Sequence, residues 1–208
     1  TVYTLSGVSN VCGPIAVSTN NTATVTVTQQ SLTTTVSGSS FCAGGAVTVN
    51  YSMTGSIGTG NVFTAQLSNS SGSFTSPVSI GSLGSTSLTG SISATLPANT
   101  VSGSGYRIRV VSSNPSLTGS DNGSNLTINM LATAALSGSQ TIQAGQSATL
   151  TALLTGTSPW SITVNNQIYS NITTPSYTFS VTPSITTTYT LTSVSDVCGE
   201  VLVSTGNV

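Results

Sequence analysis

Apolar and polar residues alternate with a period of two along most of this chain. Residues 24–28 read TVTVT, 46–51 AVTVNY, 106–110 YRIRV, 126–130 LTINM and 177–181 YTFSV. Such runs put apolar side chains on one face of an extended segment and polar ones on the other, the mark of a half-buried antiparallel strand. Clusters of Gly, Ser, Asn and Pro punctuate the runs about every 8–12 residues. No convincing amphipathic helix interrupts them. The pattern predicts an all-β chain made of antiparallel β-sandwiches of about 100 residues each.

The two ends of the chain are copies of one another. Residues 1–21 read TVYTLSGVSNVCGPIAVSTNN and residues 187–207 read TTYTLTSVSDVCGEVLVSTGN. Tyr3 falls on Tyr189, Leu5 on Leu191, Val8 on Val194, Cys12 on Cys198 and Gly13 on Gly199, at a constant shift of 186 residues. A weaker repeat lies inside the long one. Val36-Ser37-Gly38-Ser39 is echoed by Leu136-Ser137-Gly138-Ser139, and Ala43-Gly44, Thr48 and Thr54-Gly55 by Ala144-Gly145, Thr149 and Thr155-Gly156. Self-similarity of this kind signals a tandem array of like modules.

These registers divide the chain into three parts. Residues 1–29 read as the last two strands of a preceding sandwich. Residues 30–132 read as a complete sandwich, with strands at 31–37, 46–54, 62–68, 77–83, 87–96, 106–113 and 125–131. Residues 133–208 read as a second sandwich that lacks its final strand, with strands near 135–142, 147–155, 161–164, 176–181 and 188–194. In the upstream copy, Cys12 is followed by an alternating strand at 22–29 (TATVTVTQ), whose downstream equivalent is expected beyond Val208.

The segments NVFTAQLSNSSGSFTSPVSIGSL, LPANTVSGSGYRIRVVSSNPSLTGSDNGS and SITTTYTLTSVSDVCG resemble the immunoglobulin-like repeats of very large secreted surface proteins of Bacteroidota. GSGYRIRVVSSNP is the most specific of these phrases. The resemblance implies immunoglobulin-like sandwiches arranged end to end, outside the cell and without catalytic activity. In that family such repeats form stalks of adhesins and surface filaments, some of them linked to gliding. It implies no ligand.

Composition narrows the functional classes. Charged residues make up 2% of the chain against about 25% in an ordinary globular protein. Two basic residues cannot neutralise several phosphates or hold an anionic bilayer, so nucleic acid and electrostatic membrane attachment are excluded as partners. No apolar run approaches the length of a membrane span. Hydrophobic residues at 37% suffice for packed cores, and hydroxyls and amides must cover the surface. This composition points to a secreted protein or one on a bacterial cell surface.

Candidate chemistry is sparse. There is no His or Lys, and the acids are Asp121, Asp196 and Glu200. General acid–base and nucleophilic catalysis need a positioned titratable group, so an enzyme is not expected. Asp196 and Glu200 read as solvated loop acids. No cofactor is expected, and the separated cysteines cannot make a zinc site. Residues 121–125 (DNGSN) are rich in oxygen but hold one carboxylate, which fits an Asx turn better than calcium. Arg107 and Arg109 stand at i and i+2 and share one face of a strand. One guanidinium is expected to reach Asp121, and a glycan or neighbouring chain is the alternative contact for this surface. Trp160 reads as a core aromatic. Tyr106 and Tyr189 each read as a core aromatic and as a corner tyrosine at the start of a penultimate strand, bonding nearby backbone through the hydroxyl.

The cysteines carry a geometric expectation. Cys42 follows the first strand of the first sandwich, at the end nearer the second. Cys198 lies in the loop between the last two strands of the second sandwich, at the end nearer the first. A Cys42–Cys198 disulfide across the junction is expected, and Cys12 should pair with the equivalent of Cys42 one repeat upstream. A Cys12–Cys42 bond would join ends of two sandwiches that lie far apart, against the requirement of Cα atoms within about 7 Å.

The expected function is that of a structural repeat unit of a long extracellular fibre, filament or adhesin stalk. Its partners would be neighbouring repeats or sister filaments. The alternatives are an adhesive module for glycans or surfaces, and a subunit that polymerises by strand complementation.

Overall fold

A computed structural model describes residues 2–6, 8–15, 22–26 and 29–203. Every regular element among them is a strand. Four short strands come first: β1 (Val2–Thr4), β2 (Val8–Asn10), β3 (Gly13–Ile15) and β4 (Thr22–Thr24). β1 pairs antiparallel with β4, and β2 with β3. Of the strand expected at 22–29, β4 covers the start, and β3 is a further strand that closes a hairpin with β2.

Ten strands build the first core. They are β5 (Leu32–Val36), β6 (Ser40–Cys42), β7 (Ala46–Met53), β8 (Val62–Leu67), β9 (Val78–Gly84), β10 (Thr89–Thr95), β11 (Gly103–Tyr106), β12 (Ile108–Ser113), β13 (Ser116–Asp121) and β14 (Leu126–Asn129). The sheet β10-β7-β5 faces the sheet β13-β12-β8-β9, and β11-β14-β6 forms a third, shorter sheet. All pairings are antiparallel except that of β14 with β6. The alternation in β7 is sharp: Val47, Val49, Tyr51 and Met53 are buried, and Thr48 and Ser52 are exposed. Across from them lie Phe63, Ala65 and Leu67 of β8 and Ile108 and Val110 of β12. Tyr51 stacks on Phe63 with ring centroids 4.0 Å apart. Burying each large side chain of this set contributes about 1.5–3 kcal/mol.

Of two buried polar residues, Thr34 ties the facing sheets and Asn61 ties strands within one of them. The Val110 amide donates to Thr34 Oγ1 at 2.9 Å, linking β12 to β5. Asn61 Oδ1 accepts from Ser112 Oγ and from the Asn114 amide, both at 2.7 Å, and so holds the β12–β13 turn.

The second core repeats the plan with fewer strands: β15 (Thr133–Ser137), β16 (Ala148–Thr155), β17 (Trp160–Val164), β18 (Gln167–Ile172), β19 (Ser176–Val181), β20 (Leu191–Asp196) and β21 (Gly199–Leu202). Sheets β15-β16-β19 and β18-β17-β20-β21 enclose Leu150, Ala152, Leu154, Trp160, Ile162, Leu191 and Val194. The two cores share no residue. Ala132, expected at the end of the first unit, is buried in the second.

Four strands depart from the expected set. β6, β13, β18 and β21 were not legible as separate strands. Each lies at a sheet edge, where one side lacks a partner strand and the demand for strict alternation is relaxed. The run at 106–113 is also divided, into the end of β11 and the whole of β12.

Candidate functional site at the junction of the two cores

The candidate site is where the strand ends of the first core meet the loops of the second. β14 ends at Asn129 beside Cys42, its parallel partner on β6. The Ala43 amide donates to the Asn129 carbonyl at 2.8 Å. Three residues later Ala132 is already in the second core. This short passage brings Cys42 against the β20–β21 turn, and Cys42 and Cys198 form a disulfide with Cα atoms 5.6 Å apart. The junction pairing read from the sequence is therefore present, and Cys42 is not bonded to Cys12. Cys12 is exposed in the turn between β2 and β3. Cys198 lies in a tight hairpin between β20 and β21, with β21 the outer strand of its sheet. The sequence reading has no strand directly after this cysteine.

Asp196 organises the junction. One carboxylate oxygen, Oδ1, accepts from the Cys198 amide at 2.8 Å and fixes the turn that carries the sulfur. The other, Oδ2, accepts from the Thr157 amide at 2.8 Å. Thr157 Oγ1 in turn donates to Asn129 Oδ1 at 3.3 Å, returning the network to the first core. Gly156 allows this approach, since it adopts a left-handed φ of 98° and any Cβ there would meet Asp196 Oδ2 and the Ala132 backbone. The expectation of a solvated loop acid is corrected for Asp196: both of its oxygens are engaged in holding the junction. Glu200 is exposed on β21.

Arg109 lies in β12 of the first core's larger sheet, whereas Arg107 stands between β11 and β12, outside both strands, so the single strand expected to carry both is interrupted. Arg107 Nη1 lies 3.2 Å from Asp121 Oδ1, and its Nε donates to Asn125 Oδ1 at 2.9 Å. Arg109 reaches different partners. Its Nε donates to Gln66 Oε1 at 2.9 Å and its guanidinium lies 4.4 Å from the centre of the Phe74 ring. Asp121 Oδ1 also accepts from the Gly123 amide at 2.8 Å, which makes residues 121–123 an Asx turn. Phe74 was not legible as a partner. It sits in a loop shaped by Asn69, whose Oδ1 accepts from the Ser71 and Ser73 amides at 3.0 and 2.9 Å.

The aromatic candidates divide. Trp160 is buried in the second core, and its Nε1 donates to the Thr155 carbonyl at 2.8 Å. Tyr106 is buried and donates to the Val101 carbonyl at 2.9 Å, as a corner tyrosine would. Burial pushes its phenol above the ordinary tyrosine value. Tyr189 departs from that role: it packs partly buried against the second core and its hydroxyl makes no side-chain bond among the described residues. It also precedes its strand instead of starting it. Among the described residues no group of three or more His, Cys, Asp or Glu could hold a metal. No helix is long and apolar enough to cross a membrane.

The N-terminal hairpin repeats the second core's hairpin in register. Asn10 pairs with Gly13 as Asp196 pairs with Gly199, and Val8 with Ile15 as Val194 with Val201. Their surroundings differ. Leu191 is fully buried, whereas its counterpart Leu5 is 53% exposed. Compared with known proteins, the chain matches no family model and no curated protein.

Proposed function

We propose that this chain is a structural repeat unit of a long extracellular fibre, filament or adhesin stalk on a bacterial surface. Its modules are immunoglobulin-like sandwiches set end to end, and each unit passes load to the next. The observation that carries this reading is the Cys42–Cys198 bond, which ties two separately packed cores at their junction. A covalent tie between cores resists separation of modules under tension. A disulfide also belongs to an oxidising compartment, which supports a place outside the cytoplasm. The in-register duplication of a hairpin supports an array, since repeat proteins gain stability from each unit and from its neighbours. The near absence of charge supports lateral contacts through hydroxyls and amides.

The adhesive reading is weaker, because Arg107 and Arg109 are both engaged by residues of their own sheet and loops. Saturable glycan binding lost in Arg109→Ala would favour it. The experiment for the main reading is the mass of the native polypeptide on a reducing, denaturing gel. A mass many times 20.7 kDa is expected, and a mass near that value would overturn the tandem array.

A further inference from the structure

The first core leaves a cavity of about 250 Å³ open between its β8–β9 and β10–β11 loops. Its apolar lining includes the buried Tyr106, the half-buried Pro97 and Val78, which is 46% exposed. Asn69, Ser76 and Asn99, all exposed, belong to its polar lining. Every lining residue falls between Leu67 and Tyr106, within the strands and loops of the first core. Among the described residues the side chains of Ser76 and Asn99 make no hydrogen bond.

Both walls are fixed by bonds of their own. On one side Asn69 Oδ1 accepts from the Ser71 and Ser73 amides and from Ser71 Oγ at 2.8 Å, and the Gly72 amide donates to the Asn69 carbonyl at 3.0 Å. Asn69 Nδ2 takes no part in these bonds. Gly105 lets this loop pack against β11, because a Cβ there would meet the Ser70 carbonyl. On the other side the Pro97 carbonyl accepts from the Thr100 amide at 3.1 Å and from Thr100 Oγ1 at 2.7 Å. The Tyr106 hydroxyl is held by the Val101 carbonyl. The cavity is therefore preformed, as small-molecule sites usually are.

We infer that this cavity binds one neutral sugar ring of a glycan. Among the described residues no ionic side chain lines it, so a charged ligand would lose its water without gaining a partner. A wholly apolar ligand would suit Tyr106 and Pro97 but would cover the amides and hydroxyl of the rim without bonding them. A pyranose meets both demands. Its C–H face lies on Tyr106 and Pro97, and its hydroxyls bond Ser76, Asn69 Nδ2 and Asn99, whose amide offers two donors and an acceptor. The volume falls below the roughly 300–1,000 Å³ of sites for drug-sized ligands, so one ring enters and a longer glycan extends outward past Val78. A ligand this small should bind with a Kd on the order of millimolar. Arg109 does not line the cavity, and the inference does not rest on the fibre reading.

The test titrates the whole isotope-labelled chain with the methyl glycosides of glucose, galactose and mannose and follows backbone amide resonances. At least one of the three should give saturable shifts confined to residues 67–78 and 96–106. Asn99→Ala removes a rim amide and Ser76→Phe fills the cavity, and each should weaken binding at least about tenfold. Both side chains are exposed and unbonded, so both variants keep the fold, which unchanged resonances of the second core confirm. Methyl glucuronide, which is anionic, and cyclohexanol, which lacks the set of hydroxyls, should give no saturable shift. Four results would each overturn the inference: no saturable shift from any of the three glycosides up to about 100 mM, shifts centred on Gln66 and Arg109 instead, binding indifferent to both variants, or equal binding of either control compound.

Discussion

Cys42 and Cys198 are 156 residues apart in sequence and 5.6 Å apart in space, and their bond short-circuits everything between them. Tension applied outside the pair passes from one cysteine to the other through two sulfur atoms. Most of the first core and nearly all of the second lie within the closed loop, off the covalent load path. Pulling single molecules from the two ends should therefore release little length while the disulfide is intact. After reduction the same pull should unfold both cores and add roughly 500 Å at about 3.3–3.6 Å per residue. A long extension from unreduced molecules would exclude this load path.

Trp160 tests whether the two cores are energetically separate. It belongs to the second core alone and donates to the Thr155 carbonyl. Trp160→Ala should destabilise that core by about 3–5 kcal/mol through the cavity it leaves. Trp160→Phe keeps an aromatic ring but loses the hydrogen bond, costing about 1 kcal/mol from that term. Calorimetry should show the second core's transition moving down in temperature and the first core's staying in place. Equal displacement of both transitions would mean that the junction couples them into one cooperative unit.

The parts of the fold that were legible are those where one face is buried and the other wet. In β7 and β16 every second residue enters a core, so the period of two survives in the letters. β6 is three residues long and β18 sits at an edge, and neither shows that contrast. The disulfide was legible because strand polarity alone puts Cys42 and Cys198 at facing ends. The role of Asp196 was not, because it depends on Thr157 arriving from a remote loop and Asn129 from the end of β14. Arg107 and Asp121 were connected from the sequence, whereas Arg109 and Phe74 meet through a loop whose shape no local pattern encodes.

Thr34 is a buried hydroxyl whose removal should be felt in the opposite sheet. Its Oγ1 accepts the Val110 amide, and Val110 is fully buried. Thr34→Val keeps the shape and removes the acceptor, which leaves a buried N–H without its partner. Such a group costs about 1–3 kcal/mol. Thr34→Ser retains the oxygen and should cost less. Chemical denaturation of the two variants checks this, and equal stability of Thr34→Val and the parent chain would show that the bond contributes nothing net.

Tyr106 predicts how the first core responds to alkali. Its phenol is buried and donates to the Val101 carbonyl, and burial raises its pKa above the usual tyrosine value. A group with a raised folded-state pKa holds its proton more tightly folded than unfolded. The stability it contributes is complete below the unfolded value of about 10 and is lost as pH climbs through the higher folded one. The first core should thus show no dependence on Tyr106 at neutral pH beyond the hydrogen bond itself, and should weaken as pH rises past about 10. Tyr106→Phe cannot ionise, so it should begin lower by about 0.5–1.5 kcal/mol for the lost bond and then show a shallower alkaline decline. Unfolding midpoints of both chains, measured across that range, decide the matter. Parallel curves would mean that another group governs alkaline unfolding and that the Tyr106 phenol is accessible to solvent when it titrates.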